Sequence, residues 1–70
     1  MADFAERVRE LREERGLKQR ERADICGVKV RSYQRYEHGD SYPEVPGLLF
    51  LADYFGVSLD YLMGRKDTRE

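Results

Sequence analysis

Four side chains within eight residues carry hydrogen-bond donors at helical spacing: Arg31, Gln34, Arg35 and His38. Residues three and four apart share one face of a helix, so these four project from one side. Such a face can read base edges, because arginine forks onto guanine and glutamine matches adenine. It needs a helix held at an angle to a supporting body, and the preceding segment supplies the means. Gln19 to Cys26 forms a second helical pattern, and Gly27 separates the two. Glycine permits the left-handed backbone that turns a chain within a few residues. Small Ala23 lets the two axes approach, while Val28, Tyr33 and Tyr36 are the apolar residues that hold the second helix to the body. Two short helices joined in this way suit the major groove of duplex DNA.

Charge is segregated along the chain. The 70 residues include 13 basic and 14 acidic side chains, a balance of −1 that does not itself point to a polyanion. From Arg15 to Tyr36, however, seven basic residues stand against two acidic ones, and the remainder holds six against twelve. A basic segment on an acidic body is an electrostatic footprint for nucleic acid, although an ordinary solvated helix surface gives the same pattern.

Several function classes are excluded or disfavoured. One cysteine, Cys26, gives no internal disulfide, and with the lone His38 it makes no metal-ligand cluster. No glycine-rich phosphate loop occurs, and Glu13-Glu14 reads as a solvated face of the first helix. No catalytic residues, no cofactor and no metal are therefore expected, and the chain is not read as an enzyme. No apolar run reaches membrane-spanning length and no signal segment precedes the first helix, so a cytoplasmic, nucleoid-associated chain without a membrane partner is expected.

The positioning elements follow from caps and stops. Asp3 with Glu6 has capping-box spacing, Phe4, Val8 and Leu11 form one stripe, and Gly16 ends this first helix. A second helix covers about Gln19–Cys26 and a third about Val30–His38, closed by Gly39. A loop through Ser41 and Tyr42 leads to a fourth helix, about Val45–Phe55, with Pro46 tolerated in its first turn and Gly56 after it. Ser58 caps a short fifth helix through Met63. The spacing predicts an all-α, compact five-helix bundle over residues 1–64 and a polar, frayed tail over 65–70. Leu48, Leu51, Ala52, Phe55, Leu59 and Leu62 should join Leu17, Ala23, Val28, Tyr33 and Tyr36 in the core.

Several motifs then fall in register: Leu11 to Gln19, the Ala23…Gly27-Val28 turn, Arg35 to Gly39, Pro43, and Leu51 to Leu62. Together they resemble the phage-repressor/Cro helix–turn–helix family, often called XRE-type, over residues 4 to 64. The resemblance implies a lambda-repressor-like DNA-binding domain that reads operator half-sites with its third helix, usually as a two-fold dimer, and regulates transcription. By position, Val30, Arg31 and Gln34 would face base edges, with Arg35 reaching either a base or a phosphate. Lys18, Gln19, Lys29, His38, Ser41 and Tyr42 would face the phosphate backbone. Arg12 and Glu37 match a family pair that bridges the first helix to the end of the third, where an arginine fork on a carboxylate fixes their relative position.

The chain departs from the family pattern at several points. Arg22 stands where an aliphatic residue usually points inward, so it must snorkel or find a partner, and Ile25 could restore some of the lost apolar area. Cys26 replaces a larger aliphatic. Lys29 replaces the usual Ser/Thr cap before the third helix, and Asp40 adds a negative charge beside the phosphate-facing surface.

Phe50 and Tyr54 stand opposite the core stripe of the fourth helix, where the sequence suggests no partner within the chain. With Tyr61, which matches a position near the dimer contact of phage repressors, they are read as a dimer interface. The alternative is that they cover the N-terminal segment of their own chain. The expected partners are double-stranded DNA carrying a palindromic operator and a second copy of the chain. No second domain or small-molecule effector is evident. The rival reading is a helix–turn–helix-fold interaction module, antitoxin-like or anti-repressor, that acts through a protein partner.

Overall fold

The computed structural model describes residues 3–70. Its regular elements there are five helices: α1 (Phe4–Glu14), α2 (Gln19–Cys26), α3 (Val30–His38), α4 (Val45–Phe55) and α5 (Leu59–Leu62). Their ends follow the local chemistry. The Asp3 carboxylate accepts the Glu6 N–H at 3.0 Å, and the Ser58 hydroxyl accepts the Tyr61 N–H at 3.0 Å. Both satisfy amides that a helix leaves unpaired at its start. Lys18 and Lys29 precede α2 and α3 without a side-chain cap, and at Lys18 the Glu21 carboxylate instead reaches back to the backbone N–H at 3.0 Å.

The turn between α2 and α3 depends on Gly27, whose φ is 73°. There the Gly27 N–H bonds the Asp24 carbonyl at 3.1 Å and the Val28 N–H bonds the Ala23 carbonyl at 3.0 Å. This paired closure satisfies the last carbonyls of α2 while the chain reverses, and it brings α3 against both α2 and α1. Phe4, Val8 and Leu11 of α1, Ala23, Tyr33, the α4 stripe of Leu51, Ala52 and Phe55, and Leu62 form one buried core. Val57 also joins it, which spacing did not indicate, and Leu17 is only half-buried.

Of the two expectations for Arg22, the second holds in an aromatic form. It does not snorkel: the residue is fully buried, and among the described residues none of its three nitrogens has a hydrogen-bond partner. Its Cζ instead lies 4.2 Å from the Tyr54 ring centre, 4.7 Å from Phe55 and 5.8 Å from Phe50. Ile25 stays 38% exposed and restores little of the lost apolar contact. Tyr54 therefore does have a partner within the chain, contrary to the sequence reading, and it is half-buried over the side chain that replaces the aliphatic residue. Arg15 lies over the same ring at 4.8 Å.

The C-terminal tail returns to the body rather than fraying. The Ser58 N–H donates to the Arg69 carbonyl at 2.7 Å, and the Arg69 guanidinium pairs with Glu14 of α1. Tyr61 lies beneath this return, 3.9 Å from Arg7 Cζ and 5.5 Å from Arg69 Cζ, and is 7% exposed. That burial corrects the expectation of a free aromatic surface at Tyr61, because its ring is already covered by two arginines of its own chain. No described helix is long and apolar enough to cross a membrane.

Candidate nucleic-acid interface

α3 is amphipathic, and its packing decides what it presents. Tyr33 and Glu37 are buried, while Arg31, Gln34, Arg35 and His38 are exposed. Arg31 and Arg35 make no ion pair among the described residues, so both guanidiniums remain available for acceptors. Val30 is partly committed to the core, leaving only part of its side chain on this face.

Of the residues assigned to phosphates, Lys18, Lys29, His38 and Tyr42 are exposed, and Gln19 and Ser41 are half-buried. The Tyr42 ring leans on Phe4 at 5.3 Å, which ties the loop after α3 to the start of α1. The basic segment contributes less surface charge than its count suggests. Arg22 is internal and Arg15 is engaged with Tyr54, which leaves Lys18, Arg20, Lys29, Arg31 and Arg35 exposed and uncommitted.

The exposed face of α3 is held by a directed chain of hydrogen bonds. Arg12 donates from Nε to Glu37 Oε2 at 2.6 Å and from Nη2 to Oε1 at 3.1 Å. Its Nη1 donates to the Leu17 carbonyl at 2.8 Å, which also ties down the loop before α2. The Glu37 side chain is only 2% exposed, and Gln19 Nε2 donates to its Oε1 at 3.1 Å. An ionised carboxylate only accepts, so the Gln19 amide must turn its nitrogen inward and its oxygen outward. That oxygen accepts from Gln34 Nε2 at 3.2 Å. Gln34 is thereby left with a free carbonyl oxygen and one free N–H, the pair that adenine requires.

Burial pushes the Glu37 carboxyl upward, but the bonds from Arg12 and Gln19, with Tyr33 beside them, outweigh it and hold it below the ordinary carboxylate range. Burial pushes the Tyr33 phenol upward, further raised by Glu37, and its hydroxyl makes no hydrogen bond of good geometry. Arg12 is correspondingly held in its charged form by Glu37. That Gln19 braces the third helix is what the resemblance implies, but that Gln34 is its partner there has no signal in the sequence, because a contact fifteen residues apart across a turn has no local periodicity. Arg9 was also passed over, although it lines a recess with Arg12, Gln19, Glu37 and His38. Its one signal is that it lies almost a turn before Arg12. Among the described residues, no group of histidine, cysteine and acidic side chains is arranged to hold a metal.

Comparisons with known proteins identify the family of the fold. Residues 8–62 match the helix-turn-helix family. The chain is 35% identical over 60 residues to a SPbeta prophage-derived uncharacterized HTH-type transcriptional regulator, YonR of Bacillus subtilis, covering 86% of this chain and 56% of that protein. It is 35% identical over 65 residues to the cryptic phage CTXphi transcriptional repressor RstR of Vibrio cholerae, covering 93% of this chain and 58% of the relative. Among solved structures, a transcriptional regulator from Listeria innocua superposes with a TM-score of 0.83 at 38% identity, over 87% of this chain and 57% of that one. The chain thus spans less than two thirds of the length of each of these relatives. A family match over most of the chain, and a superposition that reproduces its helical arrangement, assign it plainly: the chain belongs to the helix-turn-helix family of XRE-type transcriptional regulators.

Proposed function

We propose that this chain binds palindromic operator DNA as a homodimer, reads each half-site with α3, and represses transcription in the cytoplasm at the nucleoid. The observation that carries the reading is the Gln34 amide, oriented through Gln19 by the Glu37 carboxylate and flanked by uncommitted Arg31 and Arg35. Side chains fixed before binding lose less freedom when they meet a base. The repressing sense rests on the relatives, of which RstR is named a repressor.

Size supports a pair of copies. The chain extends 29 × 23 × 21 Å, and half-sites read by such helices repeat at about 34–36 Å along DNA. One copy therefore covers one half-site. α4 offers a contact: Val45, Leu49 and Phe50 are exposed on it, and Phe50 borders an apolar recess of about 250 Å³ lined in part by Cys26, Pro46 and Gly47. A knob and a hollow side by side can be paired by a two-fold axis.

Binding-site selection from random duplexes tests the reading. An enriched palindrome, with adenine and guanine at fixed places in each half, is expected. A pool that emerges with no enrichment over the input would refute DNA readout and leave the protein-interaction alternative.

A further inference from the structure

The Arg22 guanidinium lacks a counter-charge. It is fully buried, and among the described residues no carboxylate pairs with it and no acceptor meets its nitrogens. Two ionisable groups that feel its charge are neutral. Burial pushes the Cys26 thiol up, and burial together with Glu37 pushes the Tyr33 phenol up. One helical turn beyond Arg22, Cys26 opens on an apolar recess of about 250 Å³, lined also by Val28, Tyr36, Glu44, Phe50 and Leu51. Arg22 does not line this recess. Its Cζ lies 5.8 Å from the centre of the Phe50 ring, just behind the wall, and Phe50 is 43% exposed. Exposed side chains change rotamer within nanoseconds, so the Phe50 ring can turn outward while Leu51 and Phe55 stay in the core. The guanidinium then becomes the inner wall of the recess.

The chemistry of an occupant follows from that wall. One unpaired guanidinium calls for one negative charge, and its fork meets a planar carboxylate with two parallel bonds. The rings of Tyr54 and Phe55 beside the Arg22 head disfavour a doubly charged group, which sheds its water at greater cost. The rest of the recess is apolar, and its volume lies below the roughly 300–1,000 Å³ that drug-sized ligands fill. Glu44 stands on the rim and is exposed, where solvent and salt screen its charge. We propose that the recess binds a small apolar monocarboxylic acid, with its hydrocarbon body between Cys26 and Phe50 and its carboxylate on Arg22. This binding does not depend on the DNA reading. It would oppose the entry of a second copy into the same recess, and so gives the domain a route to small-molecule control.

Benzoate is the probe, titrated against the thermal midpoint of the full chain at constant ionic strength. Acetate lacks the ring and benzyl alcohol lacks the charge, so these two separate the parts of the site. Benzoate is expected to raise the midpoint by about 4–8 °C at about five times its dissociation constant, and neither control should move it. Arg22→Met should remove the benzoate shift although its ligand-free form melts above the parent. Cys26→Leu, which fills the recess and leaves the charge in place, should remove the shift as well. In the parent, the Arg22 Nε–H resonance should move with benzoate and saturate on the same curve, a readout that needs no variant. An absent benzoate shift, an equal shift from acetate or benzyl alcohol, a shift retained in Arg22→Met, or an unmoved Arg22 resonance each overturns the proposal.

Discussion

The Arg22 guanidinium stands 4.2 Å from the centre of the Tyr54 ring, fully buried and without a hydrogen bond among the described residues. Two features that look unrelated in the sequence, an arginine facing inward on α2 and an aromatic opposite the core stripe of α4, are therefore one contact. Among the described residues, ring faces offer the only close charge compensation that Arg22 receives. Burying an unpaired ion costs several kcal/mol even after relaxation, whereas a desolvated cation–π contact contributes about 2 kcal/mol. Desolvation outweighs the contact.

Arg22→Met should therefore stabilise the domain. Methionine keeps an unbranched stem of similar reach and still packs against Tyr54 and Phe55. Replacing buried ions by apolar residues of like volume gains about 1–4 kcal/mol where it gains at all, and each kcal/mol moves the melting temperature of so small a domain by about 4–8 °C. Thermal unfolding followed by circular dichroism reads this directly. A variant that melts below the parent would show that the stacked rings outweigh the desolvation.

The Arg12–Glu37 pair gives a prediction of opposite sign. Glu37→Ala leaves Arg12 uncompensated in a nearly buried site, at a cost of about 3–5 kcal/mol, which could unfold most molecules of a marginal domain. Replacing both partners with apolar residues should cost less than removing either one. The pH dependence has a defined sign. Because the folded-state carboxyl is held below its ordinary range, the pair contributes its full stability above the unfolded-state value of roughly 4.3. That stability fades as pH falls from there through the lower folded-state value. Melting curves of parent and Glu37→Gln should converge in acid, and curves that stay equally far apart at pH 7 and pH 3 would contradict the assignment.

The five helices were legible in the sequence because their stops are chemical. Asp3, Ser58 and glycines such as Gly27, Gly39 and Gly56 mark ends that no tertiary contact needs to define. The outward position of Arg31, Gln34, Arg35 and His38 followed from the same periodicity. The fates of Arg22, Tyr54 and Tyr61 did not. Helical spacing tells which way a side chain leaves its own helix, not what the neighbouring helix offers there. Arg22 meets rings from α4, and Tyr61 is covered by Arg7 of α1 and Arg69 of the tail, so each outcome depends on elements distant in sequence. The orientation of the Gln34 amide was hidden for the same reason, since it is passed from Glu37 through Gln19.

That passage of orientation separates the base-reading variants. Arg31→Ala should weaken binding by ~1–3 kcal/mol, the scale of a lost bidentate base contact, and relax preference at one position of each half-site. Gln34→Ala should relax a different position. Gln19→Ala should remove the phosphate contact proposed for it, which would weaken all sequences alike, and it also frees the Gln34 amide to flip. It should therefore relax the Gln34 position as well, while leaving the Arg31 position intact. Repeating the site selection with each variant measures all three effects. An unchanged selected sequence and affinity for Arg31→Ala would remove Arg31 from base readout.

The dimer contact is the last expectation, and the structure narrows where it can lie. α4 carries a single charged residue, Asp53, and is apolar nearly all round, a pattern that belongs to a helix covered on every side. Within one chain it is covered on one side only: Val45 is 63% exposed, Leu49 47% and Phe50 43%. Tyr61, by contrast, is already buried, so Tyr61→Lys should unfold the domain rather than separate two copies. Phe50→Lys and Leu49→Lys are the informative changes. Both residues are exposed, where substitutions usually shift stability by no more than about 0.5 kcal/mol. Leu49 also lacks the contact with Arg22 that Phe50 makes at 5.8 Å. Each variant should sediment closer to a single copy than the parent does at equal concentration, and each should lose cooperative binding to the palindrome while keeping affinity for an isolated half-site. If both variants sediment like the parent and still fill the palindrome cooperatively, two copies meet through some surface other than α4.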